Sequence, residues 1–402
     1  MLGKWSTLKE IQKHTSDWKI VKLNDFSTKA KNSFVNGPFG SDLLSSELTN
    51  EGRPVVYIRD IQKGSYRNKS NICITEEKFE SLPSCQVVFG DVIISKVGTP
   101  PCEAAIYDSE ISGIVTQDVI RIRCEELPQS IFLKYLLNSD IGKRQVQQIK
   151  ISGTRERVSL TDFKKIRLPQ PTINEQQKIA KILSTWDKAI STTEHLIENS
   201  TQQKKALMQQ LLTGKKRLLD ESGKRFEGEW DDGKLADFAK IKKGKALSSK
   251  DLKEGSYPVI AGGKSSPYTH SDFTHENIIT VSASGAYAGY VAYFDYKIWA
   301  SDCSVVEPKG DNSIKYIYYW LSNQQQKIYT LQSGGAQPHI YPKDLEGMKI
   351  AIPNLKEQQK IATVLTNADK EIELLEQQLA DLQQEKKALM QVLLTGKKRV
   401  VV

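Results

Sequence analysis

The sequence predicts an α+β fold in which two pseudo-twofold-related mixed α/β domains are separated by an antiparallel coiled coil of two long helices. Three observations predict this fold. One segment occurs twice, each copy ends a stretch with heptad spacing, and strand-like runs precede each stretch. The repeated segment reads KKALMQQLLTGKKR at 204–217 and KKALMQVLLTGKKR at 386–399.

The repeat extends beyond this segment. EQQKIA begins at Glu175 and again at Glu357, and TGKKR begins at Thr213 and Thr395, so both offsets are 182 residues. Upstream, SDWKIVKLNDF (16–26) is echoed by GEWDDGKLADF (228–238) at an offset of 212. A period this long is not typical of a solenoid, and it indicates one duplicated unit. A chain of 402 residues is also longer than one hydrophobic core usually organises.

Each copy begins with short apolar runs bounded by Gly and Pro, which predict strands. They are PVVYI, DVIIS and TQDVIRI in the first copy, and NIITVS and GYVAYF in the second. Helical spacing of apolar residues predicts short helices at 131–140 and 314–323. Each globular part is therefore expected to be mixed α/β.

The long helices are predicted from steps of four and three residues between apolar positions. Pro171 and Pro353 precede them, and Gly214 and Gly396 follow as stop signals. The stripe could pair two copies of the chain, but a matching stripe already exists within it, so antiparallel pairing inside the chain is favoured. The same lysine, 204 or 386, interrupts both stripes. The apolar seam comprises Ile179, Leu183, Trp186, Ile190, Ile197, Leu207 and Leu211 in the first helix, and Ile361, Leu365, Ile372, Leu375, Leu379, Leu382, Leu389 and Leu393 in the second.

Composition limits the classes of function. The net charge of +9 and the pI near 9.0 favour polyanionic partners such as DNA. Five scattered cysteines without a CxxC pair argue against a disulfide framework or a zinc site, and they are expected to be small buried thiols. The longest apolar runs are strand-sized and no signal-like segment begins the chain, so no membrane contact and a cytoplasmic location are expected.

Several motifs, in order and doubled, give the chain a resemblance to the specificity subunits of type I restriction-modification systems. They are GPFGS (37–41), LPQPTINEQQKIAKIL (168–183), IPNLKEQQKIATVL (352–365), LMQQLLTGKKRL (207–218), RFEGEWDDGKLADF (225–238) and SASGAYAGYVAYFDYKIWASDCSVV (282–306). The resemblance covers essentially the whole chain. It implies a non-catalytic DNA-reading subunit without a cofactor.

The resemblance also implies different roles for different parts of the chain. Two target-recognition domains, at 1–165 and 218–349, would each read half of a split, asymmetric DNA sequence. The regions with the long helices, at 166–217 and 350–402, would set the unread spacer and dock two methyltransferase subunits. Double-stranded DNA and restriction or translocase subunits complete the expected partners.

Base reading needs hydrogen-bonding groups in a groove, and backbone anchoring needs cations around it. Polar or basic loops between strands are the expected sources of both. Among them SGTRER is favoured, because glycine beside two arginines suits close approach to DNA. The candidate DNA-contacting residues are Lys63, Tyr66, Arg67, Lys69, Lys96, Arg155 and Arg157 in the first copy, and Lys242, Lys243, Lys245, Lys264, Ser284, Tyr287, Gln337 and His339 in the second.

The sequence contains no convincing catalytic signature. No methyltransferase motif occurs, and GGKS at 262–265 has Pro258 where a P-loop needs its first glycine. Asp302, Glu307 and Lys309 could form a Mg²⁺ nuclease set, which leaves a stand-alone nuclease as one alternative. A coiled-coil scaffold is the other. His270 and His275 are expected to be exposed imidazoles rather than metal ligands.

Overall fold

The protein is described by a computed structural model that covers residues 6–401 except 39, 63, 99, 154, 264–266 and 336. The chain divides into two compact units, Met1–Thr192 with Leu379–Val402, and Thr193–Gln378. Each unit contains one globular head together with part of each long helix. The heads are mixed helix and sheet, so the predicted fold class is confirmed.

In its described residues, the first head contains thirteen short strands and five α-helices, and the first long helix follows them. In chain order they are α1 (Ser6–His14), β1 (Lys19–Lys22), β2 (Phe34–Asn36), β3 (Leu48–Thr49), β4 (Arg53–Val56), β5 (Ile61–Gln62), β6 (Ser65–Tyr66), β7 (Cys73–Ile74), α2 (Glu76–Ser81), β8 (Gln86–Val87), β9 (Val92–Ser95), β10 (Ala104–Ile106), β11 (Gly113–Val115), β12 (Val119–Ile122), α3 (Leu127–Asn138), α4 (Asp140–Ile149), α5 (Leu160–Phe163), β13 (Arg167–Gln170) and α6 (Ile173–Leu211).

The second head is smaller, and the second long helix follows it. Its elements are β14 (Asp231–Lys234), α7 (Leu235–Phe238), β15 (Ala239–Lys243), β16 (Tyr257–Ile260), β17 (Thr269–His270), β18 (Ile278–Ser282), β19 (Val291–Phe294), β20 (Trp299–Ala300), β21 (Cys303–Pro308), α8 (Ile314–Asn323), α9 (Gln325–Tyr329), α10 (Pro342–Glu346), β22 (Lys349–Ile352) and α11 (Leu355–Leu393).

The two heads share the strand order of their main sheet. The main sheet is antiparallel in each, with the order β2-β12-β9-β10 in the first head and β15-β21-β18-β19 in the second. Each head also has one parallel pair, β4 with β11 and β16 with β20. An antiparallel pair, β1 with β13 or β14 with β22, precedes each long helix. The equal order of the main sheets agrees with duplication of one unit.

Burial explains why the central strands form where they do. Every residue of β9, β12 and β18 is buried, as expected for strands covered on both faces. A helix in each head begins at a serine cap. Ser139 accepts a hydrogen bond from Gly142 at the start of α4, and Ser313 accepts one from Tyr316 at the start of α8.

The long helices have 39 residues each, which corresponds to about 58 Å at 1.5 Å per residue. Within each unit the pieces of α6 and α11 run antiparallel. In the first unit Asp187 meets Lys386, and in the second Lys204 meets Asp369. None of the predicted seam positions is exposed, and those nearest the heads are fully buried. Ile179, for example, is 1% exposed.

Among the described residues, no helix is both long and apolar enough to cross a membrane. All five cysteines are free and buried. The prediction for His270 was wrong, because its side chain is only 5% exposed. Its ring packs against Trp299 at a centroid distance of 4.6 Å, and its Nδ1 accepts a hydrogen bond from the Asp272 backbone N–H. Packing against the indole explains why His270 is buried, although the sequence predicted an exposed loop.

Candidate nucleic-acid interface

Two loops of the first head meet beyond the end of β9. Lys96, which follows this strand, donates its backbone N–H to the carbonyl of Asp118 at 2.7 Å and accepts from Val158 at 3.2 Å. The segment that contains SGTRER folds back on itself, because Ile151 and Arg157 exchange backbone hydrogen bonds of 2.8 and 3.2 Å. The backbone therefore holds Lys96 and Arg157 on adjoining loops.

The second head repeats these backbone bonds beyond the end of β18. Ala283 donates to the carbonyl of Asp302 at 3.1 Å and accepts from Ile340 at 2.9 Å. Ser333 and His339 exchange hydrogen bonds of 3.0 and 2.8 Å. We call these paired loops the loop platforms. They comprise the described residues of 95–98 with 151–158 in the first head, and of 282–285 with 333–340 in the second.

Equivalent positions of the loop platforms carry different side chains. Lys96 corresponds to Ala283, and Arg157 corresponds to His339. Arg157 is exposed, whereas His339 is half-buried with its ring stacked on Tyr341 at a centroid distance of 6.2 Å. One backbone arrangement thus presents a guanidinium group in one head and an imidazole in the other. These groups differ in charge and in the base edges that they can contact.

Further polar groups lie on the same platforms. Arg155 and Gln337 are both exposed, two residues before Arg157 and His339. In the second platform the Ser284 hydroxyl donates a hydrogen bond to the carboxylate of Asp302. A carboxylate beside a hydroxyl can accept hydrogen bonds from the amino group of a base. The second platform therefore combines an acceptor with neutral donors.

The remaining candidates of the first head lie around the β5–β6 hairpin. Arg67 and Lys69 are exposed, and Lys69 donates to the side-chain oxygen of Gln62 at 2.5 Å. The proposal for Tyr66 was wrong, since its side chain is only 8% exposed and packs on Tyr107 at a ring-centroid distance of 4.8 Å. The alternation of the hairpin turns this residue into the core. Lys63 lies outside the described residues.

The remaining described candidates of the second head lie on β15, directly after it, and in the segment after β18. Lys242 and Lys243 are exposed on this strand, and the ammonium group of Lys245 lies 5.0 Å from the centroid of the Trp299 ring. Tyr287 is 44% exposed. These positions are accessible to a ligand. Lys264 is outside the part of the chain that the structure describes.

Two of the three residues of the nuclease alternative have other contacts. Asp302 accepts from Ser284, and Lys309 donates its ammonium group to the carbonyl of Ala236. Within the described ranges, no group of three His, Cys, Asp or Glu side chains is arranged to hold a metal ion. This geometry gives no support to a Mg²⁺ site around Asp302.

The seam lysines are explained by polar contacts across the helix pair. In the first unit the ammonium group of Lys386 donates to the carboxylate of Asp187, which also accepts from Tyr135 at 2.5 Å. In the second unit Lys204 donates to Asp369, which accepts from Tyr319 at 2.7 Å. Each set joins both long helices to a helix of the head. A polar pair within an apolar seam disfavours other registers, because a shift would leave its charges unpaired.

A second repeated contact lies where each TGKKR segment ends. Arg399 donates to Glu175 at 2.8 Å and to both carboxylate oxygens of Asp17, and its guanidinium carbon lies 5.5 Å from the Trp18 ring. Hydrogen bonding to Arg399, together with the charge of this group, lowers the pKa of Asp17. This contact ties the end of the chain to the first head within one unit.

The second unit has the equivalent contact. Arg217 donates two hydrogen bonds of 2.6 Å to Glu357, whose side chain is fully buried. The guanidinium carbon lies 5.6 Å from the Trp230 ring. In both units an arginine at the end of one long helix therefore binds a glutamate in the first turns of the other.

This doubled architecture is matched by known proteins. The family model described as "Type I restriction modification DNA specificity domain" matches residues 15–200 and 227–384, which is most of the chain. The chain belongs to this family. The resemblance based on the sequence motifs is thereby confirmed.

Two similar members of the specificity family come from Methanocaldococcus jannaschii. A putative type I restriction enzyme MjaX specificity subunit is 25% identical over 97% of this chain and 96% of its own length. The type I restriction enzyme MjaVIII specificity subunit is 23% identical over 96% and 93%. The crystal structure of a type I S subunit from M. genitalium has the same fold, with a TM-score of 0.64, 17% identity and coverage of 94% of this chain and 96% of that one.

For this specificity-family chain, sequence reasoning missed the residues around Asp187. Lys134 donates to Asp187 at 3.2 Å, although the two are 53 residues apart in the chain. The one available signal was the lysine that interrupts each seam. It marked a polar site but did not identify its partners, since these lie on other elements.

Proposed function

We propose that the chain is the DNA-reading subunit of a type I restriction-modification complex. Membership of the family supports the coarse role, which is DNA recognition within a type I assembly. We propose that the catalytic work of this assembly is done by other subunits. We further propose that the first head reads one half of a split, asymmetric site and the second head reads the other. Double-stranded DNA is then the ligand, and two methyltransferase subunits are the primary partners.

The observation that carries this proposal is the pair of loop platforms. They share their backbone hydrogen bonds, but Lys96 and Arg157 in one correspond to Ala283 and His339 in the other. Equal scaffolds with unequal side chains suit two half-sites of different sequence. Arginine favours guanine edges and phosphates, whereas the second platform has neutral donors beside the carboxylate of Asp302.

We propose that 1–165 and 218–349 act as target-recognition domains, and that 166–217 and 350–402 act as the spacer-setting regions. The antiparallel contacts within each unit support this assignment, because Lys386 with Asp187 and Lys204 with Asp369 oppose sliding of the helices. Two heads on paired helices would read half-sites at a constant separation. Methyltransferase subunits would dock on these helix regions, and restriction or translocase subunits would join the same assembly.

The test is a map of methylated adenines in cells that carry this chain with its modification partner. We expect a two-part motif with a gap of constant length. A continuous short palindrome would contradict the proposal. Methylation that does not depend on this chain would contradict it as well.

A paired variant assigns each half of the motif to a head. Arg157→His gives the first platform the side chain of the second, and it is expected to change the sequence of one half-site only. His339→Arg is the matched exchange and is expected to change the other half. An effect of either exchange on both halves would show that the heads do not read independently.

A further inference from the structure

A cavity of about 660 Å³ lies in the first unit, where the head meets the helix pair. Three groups of residues form its wall. The β5–β6 hairpin and the loop after β9 contribute Gly64, Val97 and Gly98, helices α3 and α4 contribute Lys134 and Lys143, and the long helices contribute Asp187 and Lys386.

The charges in this cavity are not balanced. The carboxylate of Asp187 accepts from Lys134 at 3.2 Å and also from Lys386, so two ammonium groups share one counter-ion. The other lining carboxylate, Glu103, accepts the backbone N–H of Gly64 at 2.8 Å. Lys143 and Arg59 add positive charge to the same wall. Among the described residues of this wall, four cations therefore face two carboxylates.

Burial increases the energetic effect of this charge imbalance. The Lys134 side chain is only 11% exposed, and burial lowers its pKa although Asp187 acts in the opposite direction. A poorly hydrated ammonium group that shares its counter-ion gains stability when a further anion approaches. The cavity is thus suited to bind a small, strongly charged anionic group.

The second unit provides an internal comparison. Its equivalent set is Lys204, Asp369 and Tyr319, in which one ammonium group faces one carboxylate. The residue before Tyr319 is Tyr318, where the first unit has Lys134 before Tyr135. Duplication kept the helix contact in both units, and the surplus charge of this set belongs to the first unit.

We infer that this cavity is a phosphate-binding site of the first head and that it receives a backbone phosphate of DNA bound at the first loop platform. The inference rests on the proposed function. It is supported by a direct connection between the cavity and the first loop platform, because Val97 lines the cavity and also forms a β-bridge with Arg157 of the platform. A phosphate held by Lys134 and Lys143 would set the register of the duplex without reading bases.

The test measures how DNA binding by the full-length chain depends on salt concentration. A duplex that carries the mapped site is the probe, and fluorescence anisotropy is the readout. Each lost phosphate contact reduces the slope of log K against log salt by about 0.9. We expect that reduction for Lys134→Met and for Lys143→Gln, with an unchanged preference for the mapped site over a scrambled one. Lys143 is exposed, so its variant retains the fold even if Lys134→Met does not.

Lys204→Met is the control for removing a lysine that binds a seam carboxylate, because it removes the counterpart of Lys386 from the unit without the surplus charge. Its slope is expected to equal that of the unchanged chain. Unaltered slopes for both cavity variants would overturn the inference, and so would an equal loss in the control.

A second arm uses inorganic phosphate without DNA. Binding to the folded state raises the melting temperature, so the unchanged chain is expected to be stabilised by phosphate more than Lys143→Gln is. Stabilisation combined with unaltered DNA slopes would mean a site for free phosphate and would overturn the assignment to DNA. Failure of the chain to bind DNA at all would refute the proposed function, whereas the phosphate arm would still test the cavity.

Discussion

The contact between Arg217 and Glu357 gives a sharp test of what holds a long helix to the second head. The Glu357 side chain is 0% exposed and receives two hydrogen bonds of 2.6 Å from Arg217, which is itself 20% exposed. Arg217→Met would leave this buried carboxylate without its cation. Removing one partner of a buried ion pair costs about 3–5 kcal/mol. We expect a loss in this range for the second unit.

Arg399→Met is the matched variant in the first unit and should cost less. The Arg399 side chain is 38% exposed, and Glu175 would keep hydrogen bonds from Trp18 at 3.1 Å and Thr172 at 3.3 Å. With these donors retained, the expected loss is about 1–3 kcal/mol. By contrast, the indole N–H of Trp230 has no hydrogen-bond partner within the described part of the chain.

Hydrogen exchange followed by mass spectrometry measures the two effects separately, because it gives the free energy of opening for each segment. Protection should fall in 349–365 for Arg217→Met and in 167–183 for Arg399→Met, with the larger fall in the former. The double variant Arg217→Met with Glu357→Gln should recover much of the loss, since no charge remains buried. Equal losses for the two single variants, or no recovery in the double variant, would refute this reasoning.

The remaining predictions concern acid stability, thiol access and the helices. The pKa of Asp17 is lowered by its hydrogen bonds from Arg399, and the pKa of Asp187 is lowered because Lys134, Lys386 and Tyr135 outweigh the opposing effect of burial. Both carboxyls therefore stabilise the first unit fully above their ordinary pKa of 3.8, and this stabilisation is lost as the pH falls below that value. A free energy of unfolding that rises on acidification from pH 4 to pH 2.5 would contradict the assignment. Burial raises the pKa of the Cys303 thiol to about 12, and we expect a thiol reagent at pH 8 to modify the native chain far more slowly than the denatured chain. Inserting seven residues into the middle of both long helices adds about 10 Å of helix while it keeps the heptad register. The methylation map should then show a gap longer by about three base pairs at 3.4 Å each, whereas an unchanged gap would mean that the helices do not set the spacing.

Much of the fold could be predicted because its determinants are local or repeated. Heptad spacing predicted both long helices, and they run from Ile173 to Leu211 and from Leu355 to Leu393. The offset of 182 residues predicted two related units, and the main sheets of the heads have the same strand order. Hydrophobic period and repetition are properties of the chain that need no knowledge of distant contacts.

The candidate site was less predictable. Tyr66 was assigned to a DNA-reading loop from its basic neighbours, but the pleat of β6 turns it onto Tyr107. His270 was expected at the surface and lies against Trp299. In each case one residue of a polar segment faces the core. The direction of a side chain in a short strand depends on register, and composition does not reveal register.

The sequence by itself determined that this protein has two related halves, that two long amphipathic helices carry them, and that the chain resembles a DNA specificity subunit. Tertiary structure alone decided which charges meet. Asp187 forms ion pairs with Lys134, 53 residues away in the chain, and with Lys386, 199 residues away, whereas its counterpart Asp369 pairs with Lys204. The physical reason is the distance over which each interaction acts. Helical period acts between neighbours in the chain, whereas an ion pair depends on distance in space, which only the packing of heads and helices sets.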